Sequence, residues 1–598
     1  MLLLSLTISV LGISSPVCCQ GSVVTSNLLA EVIDECFVFR QVPLLIICDE
    51  EDSVHFDLVD QIIGNLRYSR AVQLDPTNSE YKTWFYSMFL FVSYEDFATF
   101  IYLMDWDQYD LYGYYLFILN EATNLQVLNA FDIIWQLKLL RVLIIVFNGD
   151  QPELFNYSPY TAHTCGKPMV HRFDPYNSSQ LFVARLEDFS GCQIILGTFE
   201  TPPFIHFQED NSINGFEGDL VNTLAEKLNF RLVIVTPPDD AQWGDPRPNG
   251  STGLMKLLQD ETVHFGIGCL GIMTQRNEIL QPGRPHYNSR VLFAVPEGRP
   301  LNSFEKLFQP FDRTVWMTEG MLIGITISVV LMLKFAPDSV RDFIYGANNR
   351  TPFLNAINIF YTGGLCRTPK RNFARTLLIL WVLHCFVMRT VYQGLLFKYL
   401  QVASNHRPID TIDNIERSAL FYHINKNAER FFTHNPSLFK RIRYITPGND
   451  SVSVALDDVS SRRVRDEVVV CTLEHIAYHN KRRLQQGFLR SSRDSISSYP
   501  MAIYYPKRTF LVRILDRMIG RIETAGLVNF WVRRYGNYNF FPRKIDHTQP
   551  TAIRIEQLLG CFECICVQWM ISFGVFVLEL LSLRFPCIRR ILEFLTNR

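Results

Sequence analysis

Charge is scarce in this sequence. Of 598 residues, 19% are Asp, Glu, Lys or Arg, below the roughly 25% of soluble domains. The 57 basic and 59 acidic side chains nearly cancel, leaving −2, and no block of like charge forms a tail, so nothing here would draw nucleic acid. The glycine clusters of nucleotide sites, GxGxxG and the P-loop, are missing, as are GxSxG, HExxH and paired CxxC. A cofactor, a resident metal and an enzymatic reaction therefore have no candidate site. Cysteine builds no framework either: Cys36, Cys48, Cys165, Cys192, Cys269 and Cys471 suffice for a few bridges, not for a disulfide-built scaffold. Cys561, Cys564 and Cys566 stand at a membrane boundary without a partner pair, which suits acylation or packing better than zinc.

What is present is apolar: 48% of residues are hydrophobic and mean hydropathy is +0.06, so some segments are not balanced by solvated surface and a membrane protein is expected. Residues 1–30 carry no charge, and Leu2–Leu11 is an apolar run shorter than the ~20 residues of a span. It reads as a signal peptide over 1–19, cut after Cys19 with Val17 at the other small-residue position; a buried helix is the alternative. Three segments approach spanning length: Val315–Leu333 with Glu319, Thr376–Phe397 with Arg389, and Leu558–Leu583 with Glu563 and Glu579. Phe353–Gly364 is uncharged but too short to cross, as expected of a re-entrant pore loop or an interfacial helix. Lys334, Arg341, Arg350, Arg367, Lys370, Arg371 and Arg375 outnumber Asp338 and Asp342 between the first two spans, and Arg584, Arg589, Arg590 and Arg598 follow the last. Both stretches are then cytoplasmic and 401–557 lies outside. The glycosylation sequons at Asn156, Asn177, Asn249 and Asn449 fall outside in this topology, and Asn349 falls inside.

The length is enough for three or four domains. In 21–190 the strand-like runs Pro43–Cys48, Met88–Val92, Tyr115–Leu119 and Val142–Phe147 alternate with helix-length stretches, a Rossmann-like α/β pattern. The aromatics between Trp84 and Tyr115 suit a core or a partner surface. From 192, strands at Ile194–Gly197, Arg231–Thr236 and Val263–Gly268 interleave with a helix carrying Val221, Leu224, Ala225 and Leu228 on one face and another at Gly253–Leu258. The pattern resumes after the membrane block with strands Leu420–His423 and Val468–Cys471, a helix from Asn427 to Phe432, and a helix with Leu511, Leu515, Met518 and Ile522 on one face. A two-lobed clamshell of the periplasmic-binding-protein kind, split by membrane elements, is the expected layout.

That layout and its local motifs resemble the ionotropic glutamate receptors over roughly 192–585. Gly197-Thr-Phe-Glu-Thr-Pro-Pro-Phe204 and Gly215-Phe-Glu-Gly218-Asp219-Leu220 resemble the first ligand loop and the stretch after it. Ile272-Met-Thr-Gln-Arg276 resembles the segment ending in the ligand-clamping arginine. Val391-Tyr392-Gln393-Gly-Leu395-Leu396-Phe-Lys-Tyr399-Leu400 is a degraded gating motif, matching at Tyr392, Leu396 and Leu400. Tyr504-Tyr505-Pro506-Lys507 and Gly526-Leu527-Val-Asn-Phe-Trp531 resemble the end of the second lobe. Departures point to the divergent ionotropic receptors of insect chemosensory neurons: Gly271 replaces a first-lobe hydroxyl, Asn427 and Ala428 replace a Ser-Thr pair, Cys471 stands about where an amine-pairing acid belongs, and the second-lobe cysteine pair is lost.

The residue pattern gives a signal peptide over 1–19 and an N-terminal α/β domain over 20–190, and the resemblance implies a first ligand-binding lobe over 191–312. It then implies spans at 315–333 and 376–400 around a re-entrant loop at 353–364, a second lobe over 403–556, a last span at 558–583 and a cytoplasmic tail at 584–598. It implies a subunit of a ligand-gated cation channel, assembled as a heterotetramer with co-receptor subunits in the plasma membrane of a chemosensory dendrite; a binding-only accessory glycoprotein is the alternative. Ligand contacts are expected from Phe204, Gly271, Arg276, Asn427, Ala428 and Cys471. The pore and gate are expected from Thr362, Gly363, Gly364, Arg389, Tyr392, Gln393, Leu395, Leu396 and Tyr399. Plainer readings stand beside these: Arg276 paired with Glu278 on a surface turn, Gly363 and Gly364 allowing a tight turn, His384 as a packing residue, and Arg389 paired with Glu319 or Glu579.

Overall fold

Strands rich in Val, Ile, Leu and Phe with no polar alternation have to be covered on both faces, and the N-terminal region is built that way. The computed structural model describes residues 33, 43–47, 59–64, 70–73, 84–106, 109–148, 152–173, 182, 186–210, 212–238, 242–296, 301–346, 351–361, 363–364, 368–401, 409–418, 420–432, 439–446, 451–461, 466–482, 488–540 and 555–586. The first sheet contains β1 (Leu44–Ile47), β2 (Arg70–Gln73), β3 (Trp84–Ser93), β4 (Tyr109–Glu121), β5 (Val142–Phe147), β6 (Pro152–Tyr160) and β7 (Cys165–Phe173). Their order is β2-β1-β3-β4-β5-β6-β7, parallel through β5 and antiparallel in the last hairpin. Phe89, Phe117, Ile144 and Val146 enter one buried cluster while Met88, Leu116, Leu143 and Ile145 enter the other, the period of two expected of pleated strands. Helices α1 (Tyr94–Leu103) and α2 (Asn124–Gln136) begin at capping boxes, Ser93 with Asp96 and Thr123 with Gln126. These satisfy amides that the first helical turn leaves unpaired. Phe89, Phe97, Trp106, Tyr109 and Tyr115 are core.

The second sheet joins two stretches far apart in sequence. It comprises β8 (Gln193–Gly197), β11 (Arg231–Val235), β12 (Phe265–Gly266), β13 (Gln281–Pro296), β14 (Phe421–Ile424), β15 (Ile442–Tyr444), β16 (Glu467–Thr472), β17 (Leu489–Ser491) and β18 (Ser497–Tyr505). A small hairpin, β9 (His206–Phe207) with β10 (Ile213–Asn214), stands apart. The order is β11-β8-β12-β18-β13-β16-β14-β15, with β17 also on β13. The long β13 spans both halves: Gln281–Val291 pairs with β18, and Val291–Ala294 pairs with β16. Its one backbone therefore runs through both lobes. Helix α3 (Phe216–Lys227) buries Leu220, Val221 and Leu224; α4 (Gly253–Gln259) and α5 (Thr274–Ile279) complete the first half.

Residues 1–295 and 411–540 form one compact unit. Within it the Cys165–Cys192 disulfide ties β7 to the residue before β8. Tyr160 and Phe189 rings meet at 5.0 Å, Trp135 and Phe510 at 5.5 Å, and Arg513 reaches Asp110 at 3.1 Å while lying 4.1 Å from the Tyr112 ring centroid.

The other unit, 296–410 with 541–598, is helical: α6 (Ser303–Phe308), α7 (Arg313–Lys334), α8 (Asp338–Tyr345), α9 (Pro352–Phe360) and α10 (Asn372–Gln401). After α11 (Ile412–Arg417), α12 (Ser451–Ser460), α13 (Leu473–Arg482), α14 (Leu511–Thr524) and α15 (Leu527–Tyr535) of the first unit, α16 (Ile555–Ser582) completes the helical one. Arg313–Lys334, Asn372–Leu400 and Leu558–Ser582 are long and apolar enough to cross a membrane, and they expose side chains such as Met332, Leu383 and Phe573 that suit lipid. Nine residues of α9 rise only about 14 Å, too little to cross. Its C-terminus is closed by the Gly363 amide on the Asn358 carbonyl (2.6 Å) and the Asn358 side-chain amide on the Gly364 carbonyl (3.0 Å). A Cβ at Gly363 would sit 1.7 Å from Asn358 Oδ1, so a larger residue there would have to displace the Asn358 side chain that closes the turn. Thr362 lies outside the described residues.

Candidate ligand-binding site

A cavity of about 80 Å³ is lined by residues of both sequence stretches, among them Gly271, Arg276, Ala428, Cys471, His475 and Tyr499. A single water needs roughly 10–15 Å³ on this scale, so several waters or a small molecule fit.

The first half of the wall is the turn after β12. Cys269 adopts φ 54°, uncommon for a residue with a side chain, and its amide donates to Glu217 Oε2 at 2.8 Å. Glu217 lies in the first turn of α3, where a negative charge is favoured, and its other oxygen meets His286 Nε2 at 2.9 Å, both side chains fully buried. Gly271 is sterically required: a Cβ there would stand 2.6 Å from the Tyr499 ring, which explains the loss of a hydroxyl-bearing residue. Arg276 on α5 is 3% exposed; its Nη1 donates to the Gly271 carbonyl at 3.0 Å and its guanidinium lies 5.9 Å from the Tyr504 ring centroid. It does not lie on a surface turn, contrary to the plainer expectation.

β16 and the start of α13 supply the other half. Cys471 and Thr472 end the strand, Thr472 Oγ1 meets His475 Nδ1 at 2.7 Å, and the His475 ring packs on Phe204 with centroids 5.1 Å apart. Burial pushes the His475 pKa down to about 4, so the imidazole is neutral near pH 7. The same burial pushes the Cys269 and Cys471 thiols up, keeping them protonated. Glu474 is raised by burial too, and it accepts from Tyr287 Oη at 2.8 Å and Ser289 Oγ at 2.6 Å. Both carboxylates near the cavity are thus engaged on β13, α3 and the β12 turn, and neither lines the wall. The lining offers a guanidinium, a neutral imidazole, thiols and apolar surface. Among the described residues, no carboxylate lines the cavity to meet a cationic ammonium.

Gly271, Arg276, Ala428 and Cys471 are therefore brought together. Phe204 is not: it is fully buried against Phe216 and His475 and supports the wall from behind. The Asn427 side chain lies outside the described residues; Asn425 lines the cavity nearby. Trp243, His475 and Tyr499 were missed by the sequence reading. His475 had a signal, the N-terminus of the helix following the Cys471 strand, whereas Trp243 sits in a Pro/Gly loop without periodicity. The Tyr392 hydroxyl donates to the Leu307 carbonyl at 3.0 Å and its ring meets Phe311 and Trp316, so within the chain it ties α10 to α6 and the start of α7. His384 and Glu319 face each other at 3.2 Å, which takes Glu319 away from Arg389. Arg389, Gln393, Leu395, Leu396 and Tyr399 all lie on α10. Asn156 is corrected as well, because at 2% exposure within β6 it leaves no room for a glycan; Asn249 is exposed, and Asn177 and Asn449 lie outside the described residues.

Residues 26–188 match a family model described as an ionotropic receptor ligand-binding domain, and residues 192–297 match the ligated ion channel L-glutamate- and glycine-binding site. The chain is 23% identical over 253 residues to Ionotropic receptor 25a of Drosophila melanogaster, covering 39% of this chain and 26% of that protein. It is 23% identical over 241 residues to the kainate-type ionotropic glutamate receptor glr-3 of Caenorhabditis elegans, covering 38% and 28%. The matched stretch thus spans about a quarter of the length of these relatives. With matches to two ligand-binding-domain models and a clamshell divided by membrane-length helices, the chain is similar to the divergent ionotropic receptors of the ionotropic glutamate receptor superfamily.

Proposed function

We propose that the chain is a subunit of a ligand-gated cation channel, opened when a small molecule closes the two lobes, and that it serves as a chemosensory (taste or odour) receptor. It acts in a heterotetramer with co-receptor subunits, in the plasma membrane of a sensory dendrite. The observation carrying this reading is one cavity walled by residues from both sides of the membrane block and spanned by β13. A ligand touching both walls binds the closed lobes better than the open ones, and that difference is the only energy it can pass on. Residues 296 and 411 leave this clamshell toward the membrane-length helices. Closure pulls on those connections, and Leu395, Leu396 and Tyr399 release a dewetted constriction; the turn at Gly363 and Gly364 belongs to a re-entrant pore loop. The test is recording from cells expressing the chain with candidate co-receptors during application of acids, amines, sugars and salts. A ligand-evoked cation current that requires this chain supports the reading.

A second reading, a non-conducting accessory subunit, is favoured by Arg389 within α10 and by a gating motif matching only at Tyr392, Leu396 and Leu400. Surface delivery without any contribution to current or selectivity would favour it.

A further inference from the structure

The half of the cavity wall built from β16 and α13 carries a buried polar atom that the chain does not satisfy. His475, in the first turn of α13, is 5% exposed and lines the cavity. Thr472 Oγ1 meets its Nδ1 at 2.7 Å and Phe204 packs on its ring at 5.1 Å between centroids. The imidazole is thereby held in one orientation, and flipping it would give up the Thr472 contact. Its other nitrogen, Nε2, has no hydrogen-bond partner among the described residues. Buried polar groups in folded proteins are paired, so a molecule entering the cavity has to supply the partner that water supplies before it.

Charge narrows what that partner can be. Burial keeps the imidazole neutral near pH 7, and among the described residues no carboxylate lines the cavity, so an ammonium here would be desolvated against a neutral group. A hydroxyl escapes that cost. Being donor and acceptor at once, it also satisfies Nε2 whichever ring nitrogen bears the proton. From the first half of the wall Arg276 contributes a cation, whose planar fork suits a carboxylate. Val452 and Val470 add apolar surface, and about 80 Å³ leaves room for a short carbon chain.

We propose that His475 is a specificity-determining contact and that the cavity takes a small hydroxy acid, with its carboxylate on Arg276 and its hydroxyl on His475 Nε2. This rests on the reading that the cavity holds the activating molecule.

Ligand-observed NMR titration of the full-length chain in lipid nanodiscs, with empty nanodiscs subtracted, tests the contact without any current. L- and D-lactate, propionate and L-alanine share one carbon skeleton and differ in a hydroxyl, a hydrogen or an ammonium. One lactate enantiomer should bind at least tenfold more tightly than propionate and L-alanine, because propionate leaves Nε2 unpaired. In His475→Phe, which keeps a ring against Phe204, lactate should fall to the affinity of propionate while propionate changes less than threefold. His475→Gln, whose terminal amide reaches toward the Nε2 position, should retain most of the preference. Lactate no tighter than propionate in the native chain, L-alanine as tight as lactate, a preference that survives in His475→Phe, or no binding by any probe overturns the proposal. The comparison within the native chain stands even if the variants misfold. Propionate binding that Arg276→Ala abolishes, without a lactate preference, would refute the hydroxyl contact and keep the cavity as a ligand site. Selective lactate binding without evoked current would instead refute the channel reading and keep the contact.

Discussion

Arg276 is buried beside an aromatic ring with one donor on the Gly271 carbonyl, and its fork suits a carboxylate. If it clamps an acidic ligand, Arg276→Ala should weaken the response about ten- to a hundredfold, about 1.5–3 kcal/mol, read as a displaced dose–response curve at unchanged surface level. That no carboxylate lines the cavity among the described residues predicts that L-glutamate does not bind at submillimolar concentration, since an ammonium would be desolvated without a partner. Gly271→Ser drives a Cβ into Tyr499 and should destabilise the fold by about 1–3 kcal/mol; thermal unfolding checks it, and adding Tyr499→Ala should restore much of the loss. His475 has a folded-state pKa of about 4 against an ordinary 6.5, so the unfolded chain takes up the proton first. Its contribution is intact above pH 6.5 and is lost as pH falls toward 4, on the order of 3 kcal/mol. His475→Gln should flatten that part of the acid sensitivity of unfolding. Glu474, whose pKa burial raises, acts in the opposite sense.

At the scale of elements, the Cys165–Cys192 bridge closes a separation of 27 residues, worth roughly 3–4 kcal/mol in the chain-entropy account. Cys192→Ser should lower the unfolding temperature accordingly, and a reductant should lower that of the native chain but not that of the variant. The strands that could be read directly were those buried on both faces: Val142–Phe147 was anticipated to the residue because an apolar run of β-formers between polar neighbours leaves no other choice. The hinge strand β13 was not, because Pro282, Gly283 and Pro285 break its alternation and its register shifts twice against β18. The hairpin β6–β7 escaped for a related reason, since β7 is an edge strand with scattered exposure and no apolar run. Likewise in the site, Arg276, Gly271 and Cys471 were reached through motif order, while Glu217 meets His286, and Glu474 meets Tyr287 and Ser289, only once β13 is folded between the lobes.

For the whole molecule, the proposed cation channel has to accommodate a cationic residue, Arg389, in the helix proposed to line its pore. Arg389 shares a helical face with Gln393 and Leu396, and Glu319 is engaged by His384. Four such arginines around one pore would repel cations, so the chain should work as a minority subunit. Arg389→Ile expressed with co-receptors should raise cation conductance per channel; loss of surface delivery with conductance unchanged would place Arg389 in a structural contact instead. The most direct test of the central claim is whole-cell recording from cells expressing co-receptors with the native chain, with Arg276→Ala, or without either, across the acid, amine, sugar and salt panel. The account predicts a ligand-evoked cation current that needs this chain and shifts at least tenfold in ligand concentration, or disappears, with Arg276→Ala if the ligand is an acid. A chain delivered to the surface that adds no ligand-evoked current and leaves selectivity unchanged with every co-receptor would contradict it.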